Sequence, residues 1–169
     1  MTTLYVDNIA PNLQSRVSVP GHVIQVVTKT NQTPSNTYIN VNATSYADVL
    51  NMNETITPTS SLSKILVTMN FPFIGFYASA QYQGMLQVLR DSTQVWENDR
   101  AIIMPSSSNF AGSMCSVTFV DSPNTTSAIT YKLQAKSNNA SGILRIGDNS
   151  GVGVGMQTAT TITLMEIAG

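Results

Sequence analysis

The run Ser116–Ile146, SVTFVDSPNTTSAITYKLQAKSNNASGILRI, holds three strand-like segments separated by two turn clusters. In its middle, Ile129, Tyr131, Leu133 and Ala135 alternate with Thr130, Lys132, Gln134 and Lys136. A period of two puts one set on a buried face and the other on a wet one, the pattern of a half-buried strand. Before it, Val117 and Phe119 alternate with Ser116 and Thr118. The cluster Asp121-Ser-Pro-Asn124 then supplies a turn, in which Pro123 has no amide hydrogen to give to a ladder. The stretch predicts an antiparallel meander with Thr130, Lys132, Gln134 and Lys136 toward solvent.

Composition agrees with a sheet protein. Charged residues are only 10% of the 169, against a usual share of about 25%, and Ser, Thr, Asn and Gln take their place. β-Branched residues fit a pleated surface and Ser and Asn compete with a helical backbone, which favours strands with Thr-rich outer faces. The length suits one domain with a core of its own, needing neither disulfides nor a structural metal. A net charge of −1 with scattered Lys and Arg leaves no electrostatic footprint for nucleic acid. No apolar run is long enough to cross a bilayer as a helix, and the start, Met1-Thr-Thr-Leu-Tyr-Val-Asp7, lacks the basic and apolar regions of a secretory signal. A protein made and kept soluble, with no membrane partner, is expected.

Along the chain, residues 1–21 predict an N-terminal extended arm, with Leu4 and Val6 alternating with Tyr5 and Asp7 before Pro11 and Pro20. Such an arm adds to a sheet edge of its own domain or reaches a neighbouring molecule. Residues 22–169 predict one β domain. Its strands are HVIQVVTKT from His22, a weak one at Thr37–Val41, Val49–Ile56 with Leu50, Met52, Glu54 and Ile56 in phase, and Lys64–Phe71. The aromatic run Phe71–Tyr82 fills core or forms an exposed patch at a subunit contact. Met85–Arg90 and Gln94–Glu97 make a hairpin about Asp91-Ser-Thr93, Arg100–Gly112 is a long loop, and Gly147–Gly155 a flexible connection. Thr160–Ile167 is apolar on both faces at Leu164, Met165 and Ile167, which places it in the middle of a sandwich or at a subunit interface. No segment keeps a helical period over ten residues, so the fold class is all-β, an antiparallel β-sandwich or jelly roll.

Catalytic and metal chemistry find little to work with. The single His22 and single Cys115 are too few for a zinc or iron site, and no carboxylate is placed by sequence to orient His22 as a base. Cys115 lies in phase with Val117 and Phe119 and reads as a packed thiol, and one cysteine permits no internal disulfide. Trp96 with Glu97 and Asp99 joins an aromatic platform to acids, the combination that glycan sites use, although a hairpin end is more often a solvated rim. Asp148-Asn-Ser-Gly151 lacks calcium-loop spacing, and Gly151-Val-Gly-Val-Gly155 lacks the helix that a phosphate loop needs. No catalytic residue, cofactor or metal is expected.

Several blocks together resemble a family. GHVIQVV at Gly21–Val27, ITPTSSLSKILV at Ile56–Val67, LQVLRDSTQVWE at Leu86–Glu97, VDSPNTTSAITYKLQA at Val120–Ala135 and TITLMEIAG at Thr161–Gly169 resemble a β-structured, jelly-roll-like domain of virion proteins in tailed phages, especially those of cyanobacteria and marine bacteria. The arm MTTLYVDNI also looks like the start of such proteins. The resemblance implies a homotrimer on the virion surface, made in the host cytoplasm. Absence of a repetitive shaft favours a capsid decoration, or cement, protein that binds the major capsid protein on the outer head surface. A receptor-binding tip of a tail fibre or spike is the alternative, with host surface glycan met at Trp96, Glu97 and Asp99. On this reading Leu164, Met165, Ile167, Phe71, Phe73, Phe76 and Tyr77 line the subunit interface, and Leu4, Tyr5, Val6 and Ile9 attach to the capsid.

Overall fold

The computed structural model describes residues 19–31, 44–77, 82–104, 110–138, 143–146 and 159–169. Among these are nine strands and no helix: β1 (Val23–Asn31), β2 (Ala47–Ile56), β3 (Lys64–Tyr77), β4 (Tyr82–Arg90), β5 (Thr93–Met104), β6 (Phe110–Asp121), β7 (Ile129–Ser137), β8 (Ile143–Ile146) and β9 (Thr160–Ile167). Sheet A has the order β1-β9-β3-β6, with β8 also pairing β3, and sheet B the order β2-β7-β4-β5. Every pair is antiparallel, and the pairs are nested: β1 with β9, β2 with β7, β3 with β6 and β4 with β5. The chain is therefore one long ribbon, doubled at the β4–β5 hairpin and wrapped so that its pairs alternate between sheets. That wrapping is a jelly roll.

The predicted alternation in β7 is present, with Ile129, Tyr131, Leu133, Ala135 and Ser137 buried and the residues between them half-buried. The predicted meander is not. β6 and β8 belong to sheet A and β7 to sheet B, so consecutive strands face one another across the core instead of pairing edge to edge. A period of two tells which side of a strand is buried but not which strand lies beside it. The predicted loop over Arg100–Gly112 is likewise corrected, because β5 continues to Met104 and β6 starts at Phe110. In β2 the phase breaks between Asp48 and Asn53 at a bulge where Asn51 takes φ 61°, so Val49 is buried as well as Met52 and Ile56. The Thr37–Val41 strand and the Gly147–Gly155 connection lie outside the described residues, as do residues 1–18 of the arm.

The core lies between the sheets. Ile65, Val67, Met69 and Phe71 of β3 and Ile162 and Leu164 of β9 meet Met52, Ile56, Leu86, Val88, Tyr131 and Leu133 of sheet B. The hairpin tip is clipped to this body. Asp91, at φ 53° in a conformation that Asp tolerates, donates its amide to Thr130 O (2.7 Å) and accepts from Thr130 N (2.9 Å).

Polar groups close both sides of the sandwich. On the β5/β6 side, Asp121 Oδ2 accepts from Arg90 Nη1 and from Tyr131 Oη, each at 2.7 Å, and so ties β6 of sheet A to β4 and β7 of sheet B. Burial pushes the Tyr131 hydroxyl far up, and its bond to the Asp121 carboxylate reinforces the shift, so it stays protonated and donates to Asp121. Beside this cluster the rings of Trp96 and Phe119 stack at 6.4 Å. On the β1/β2 side, Lys29 Nζ donates to Asn53 O (3.2 Å) and Oδ1 (3.3 Å).

Glu166 in β9 is 0% exposed and collects Gln25 Nε2 (2.6 Å), Thr59 N (2.7 Å) and Thr59 Oγ1 (2.8 Å). Gln25 Nε2 also reaches Thr57 O at 2.8 Å, which joins β1 and the β2–β3 turn around one carboxylate. Burial pushes the carboxyl up, but the bonds from Gln25 and Thr59, helped by the buried Ser63 hydroxyl beside it, outweigh burial and hold it below its ordinary 4.5. Ser63 Oγ itself falls short of hydrogen-bond geometry to any partner.

Tyr131→Phe removes one bond to a charged acceptor and lowers stability by about 1.5 kcal/mol. Asp121→Ala leaves both Arg90 and Tyr131 without their partner and costs more, about 3 kcal/mol. Urea unfolding of both variants checks the order; equal small losses would remove the cluster from the stabilising side-closures. Because the Glu166 carboxyl is lower in the folded than in the unfolded chain, its contribution is complete above the unfolded value of 4.5 and disappears as pH falls through the folded one. Glu166→Gln should flatten the acid limb of stability against pH, and an unchanged limb would assign acid sensitivity elsewhere.

Candidate functional site

The outward residues of sheet A line up in rows, because the register of four strands is continuous. Val26 faces Met165, Met165 faces Leu66, and Leu66 faces Val120, an apolar row across β1, β9, β3 and β6. The next row is Thr28, Thr163, Thr68 and Thr118, and the third is Thr30, Thr161, Asn70 and Ser116. Val23, Ile167 and Lys64 finish the face at the other end. Val23, Val26 and Val120 are 49%, 52% and 54% exposed, and Leu66, Met165 and Ile167 are half-buried. Among these outward residues Lys64 carries the single charge.

Several of the polar groups on this face bond to one another. Thr28 and Thr163 hydroxyls are 3.0 Å apart, and Thr28 Oγ1 also donates to Ile162 O at 3.3 Å. Ser116 Oγ donates to Asn70 Oδ1 (2.8 Å), and Asn70 Nδ2 reaches Thr161 Oγ1 (3.5 Å). At the β3–β6 bulge beside these rows a cavity of about 300 Å³ is lined by Asn70, Phe71, Met114, Cys115 and Ser116. Met114 is 80% exposed there, while burial pushes the Cys115 thiol up and keeps it protonated, which suits the packed thiol expected.

The outer face of sheet B is different. Its central row is Asp48, Gln134, Gln87 and Glu97, joined by bonds from Gln134 Nε2 to Asp48 Oδ1 (2.5 Å) and from Gln87 Nε2 to Gln134 Oε1 (2.6 Å). Gln134 first and then Lys132, 3.0 Å away, hold the Asp48 carboxyl below its ordinary value. Tyr46, just before β2, sends its hydroxyl to Glu97 Oε1 (2.6 Å) under the Lys136 ammonium, which sits 4.2 Å from the ring centroid. Gln94 Nε2 donates to the other Glu97 oxygen (2.9 Å). A cleft of about 190 Å³ lies between Asp48, Val49, Asn51, Asn53 and Lys132, with its one carboxylate already paired to the lysine.

The expected site residues separate on this frame. Leu164 and Phe71 are each 0% exposed inside the chain's own core, so neither can line a subunit interface. Met165 and Ile167 project from the opposite side of β9, on the outer face of sheet A. Phe73, Phe76 and Tyr77 belong to β3 by their backbone, but their side chains lie outside the described residues, as does that of Asp99 in β5. Leu4, Tyr5, Val6 and Ile9 fall outside them as well. Trp96 and Glu97 point to opposite faces of β5: the indole packs inward on Phe119, and the carboxylate stands on the outside with Tyr46 and Gln94. The expected aromatic platform beside an acid is therefore not assembled at these two residues. Val26, Leu66 and Val120 are the outward residues that reading strand by strand missed, because only the cross-strand register joins them to Met165.

No group of three His, Cys, Asp or Glu side chains that could hold a metal occurs among the described residues. No family model matches the chain, and no curated protein matches it.

The two sides of β9 predict opposite responses. Leu164→Ala empties core volume and should cost about 3 kcal/mol, whereas Met165→Thr, one residue away, should cost about 0.5 kcal/mol in a dilute sample. Urea unfolding measures both, and a large loss for Met165→Thr would move that side chain into the core.

Proposed function

We propose that this chain is a structural virion protein, a capsid decoration protein that associates with itself and binds the outer surface of a phage head. The observation that carries the reading is the outer face of sheet A: a regular surface with an apolar row, on which Lys64 is the one charge among the described outward residues. Such a face serves contact between proteins rather than turnover of a substrate. The carboxylates of Asp121 and Glu166 support it too, since they are spent on closing the sandwich. The resemblance of the strand blocks to virion domains of tailed phages supplies the setting. On this reading the chain strengthens the head by many modest contacts that add through multivalency, and the N-terminal residues Leu4, Tyr5, Val6 and Ile9 supply the attachment to major capsid protein.

The receptor-binding alternative draws less support, because the Trp96 ring is stacked against Phe119 and turned away from Glu97. Three-fold assembly, which the resemblance implies, needs two different surfaces on each copy, and the outer face of sheet A would be one of them.

The test is addition of purified chain to heads lacking it. Saturable binding at many copies per head, with raised resistance to heat and chelator, is the expected outcome. Deleting residues 1–18 should abolish attachment and leave the β domain folded. Recovery at only a few copies per particle, confined to tails, would overturn the proposal.

A further inference from the structure

The outer face of sheet A is built to be covered. Part of its polar surface is already paired, through Thr28–Thr163 (3.0 Å), Ser116–Asn70 (2.8 Å) and Asn70–Thr161 (3.5 Å), so excluding water from those groups costs little. The apolar row from Val26 to Val120 crosses these four strands, with Val26 and Val120 at its ends 52% and 54% exposed and Met165 and Leu66 between them half-buried. Among the described outward residues a charged partner would find no counter-charge except Lys64 at one end.

A second copy of the same face meets each of these conditions. It is apolar where this one is apolar, and among the described outward residues it brings no charge toward the centre. Four strands about 4.8 Å apart and eight residues long at about 3.3 Å each give about 500 Å² of sheet. Two copies then bury about 1,000 Å², the lower bound for a specific interface.

We propose that two copies of this chain associate face to face through the outer surface of sheet A, about a two-fold axis near Thr163. The rows of Val26, Met165, Leu66 and Val120 from the two copies pack together across the axis, in the manner of a second sandwich layer. The inference deepens the self-association within the proposed function and is independent of capsid binding.

Light scattering coupled to size exclusion on the full chain, across a dilution series, tests it. The expected species has twice the chain mass. Met165→Glu and Val26→Glu should each abolish it while circular dichroism shows the sheet retained, and Thr130→Glu on the outer face of sheet B should leave it intact. Thr163→Cys should be cross-linked to its counterpart by a short bis-maleimide, with Cys115→Ser as background, since stacked sheets stand about 10 Å apart, too far for a direct disulfide. A monomer at every concentration, a trimer, or a dimer that survives both glutamates would overturn the proposal. Failure of head binding with the dimer intact would instead strike only the capsid role.

Discussion

β9 lies between β1 and β3, and its hydrogen-bonding groups are shared with both along most of its length. The register of this one strand decides what both faces of sheet A present. A slip of a single residue would turn Met165 and Ile167 inward and expose Ile162 and Leu164. Glu166 opposes such a slip, because only in the observed register does its carboxylate meet Gln25 and Thr59 under cover. A buried carboxylate with several donors is costly to displace and cheap to keep, so it acts as a register pin whose strength comes from the penalty on every alternative. The last turn of the chain adds to the pin: Ala168 exchanges backbone bonds with Gly21 and His22, and a side chain at Gly169 would collide with the Leu62 carbonyl.

The jelly-roll wrapping makes closure of the sides a separate problem from pairing within the sheets. Sheet edges at β1 and β2, and at β5 and β6, approach each other without sharing a ladder. Here the chain uses side chains: Lys29 across to Asn53 on one side, and Arg90, Asp121 and Tyr131 beside the Trp96–Phe119 stack on the other. These bridges also protect the edges, since a carboxylate and a guanidinium at a strand end discourage a further strand from adding. A ribbon in which the first strand pairs with the last gathers its contacts late, after long loops have closed, and the polar bridges then favour one closure over its competitors.

How much of this the sequence disclosed depends on the range of the interaction involved. Ile129 through Ser137 declared its buried face openly, since alternation is a local property, and the Asp91 turn was legible because a short polar cluster between two alternating runs has few other uses. The meander was misread because SVTFVDSPNTTSAITYKLQA looks the same whether the strand after the turn pairs beside β6 or crosses to the other sheet. The asymmetry of β9 was hidden for a related reason. Leu164, Met165 and Ile167 are all apolar, and composition cannot say that one faces a core and the others a surface. Glu166 between them was the available signal: a charged residue in phase with Leu164 has to be either exposed or held by partners, and its partners come from residues 25 and 59, far away in the chain. Trp96 and Glu97 show the converse limit, since adjacency in a strand sends neighbours to opposite faces and argues against a shared site.

The two outer faces divide the surface chemistry of the molecule. Sheet B carries charge in a network, with Asp48, Lys132, Lys136 and Glu97 each balanced by a neighbour, so it stays hydrated without exerting a strong field. Among the described outward residues of sheet A the one charge is Lys64, and part of the polar surface is paired internally. A protein that needed only solubility would have little reason to keep the second face free of charge, since Lys or Glu at the positions of Thr68 or Thr163 would fit the pleat as well as threonine does. Threonine at those positions keeps the methyl and hydroxyl close to the sheet and lowers the relief of the surface, which lets another flat surface approach along the whole of its width. The uncharged threonine rows are in that sense as informative as the apolar row beside them: one supplies the attraction, and the other allows the approach.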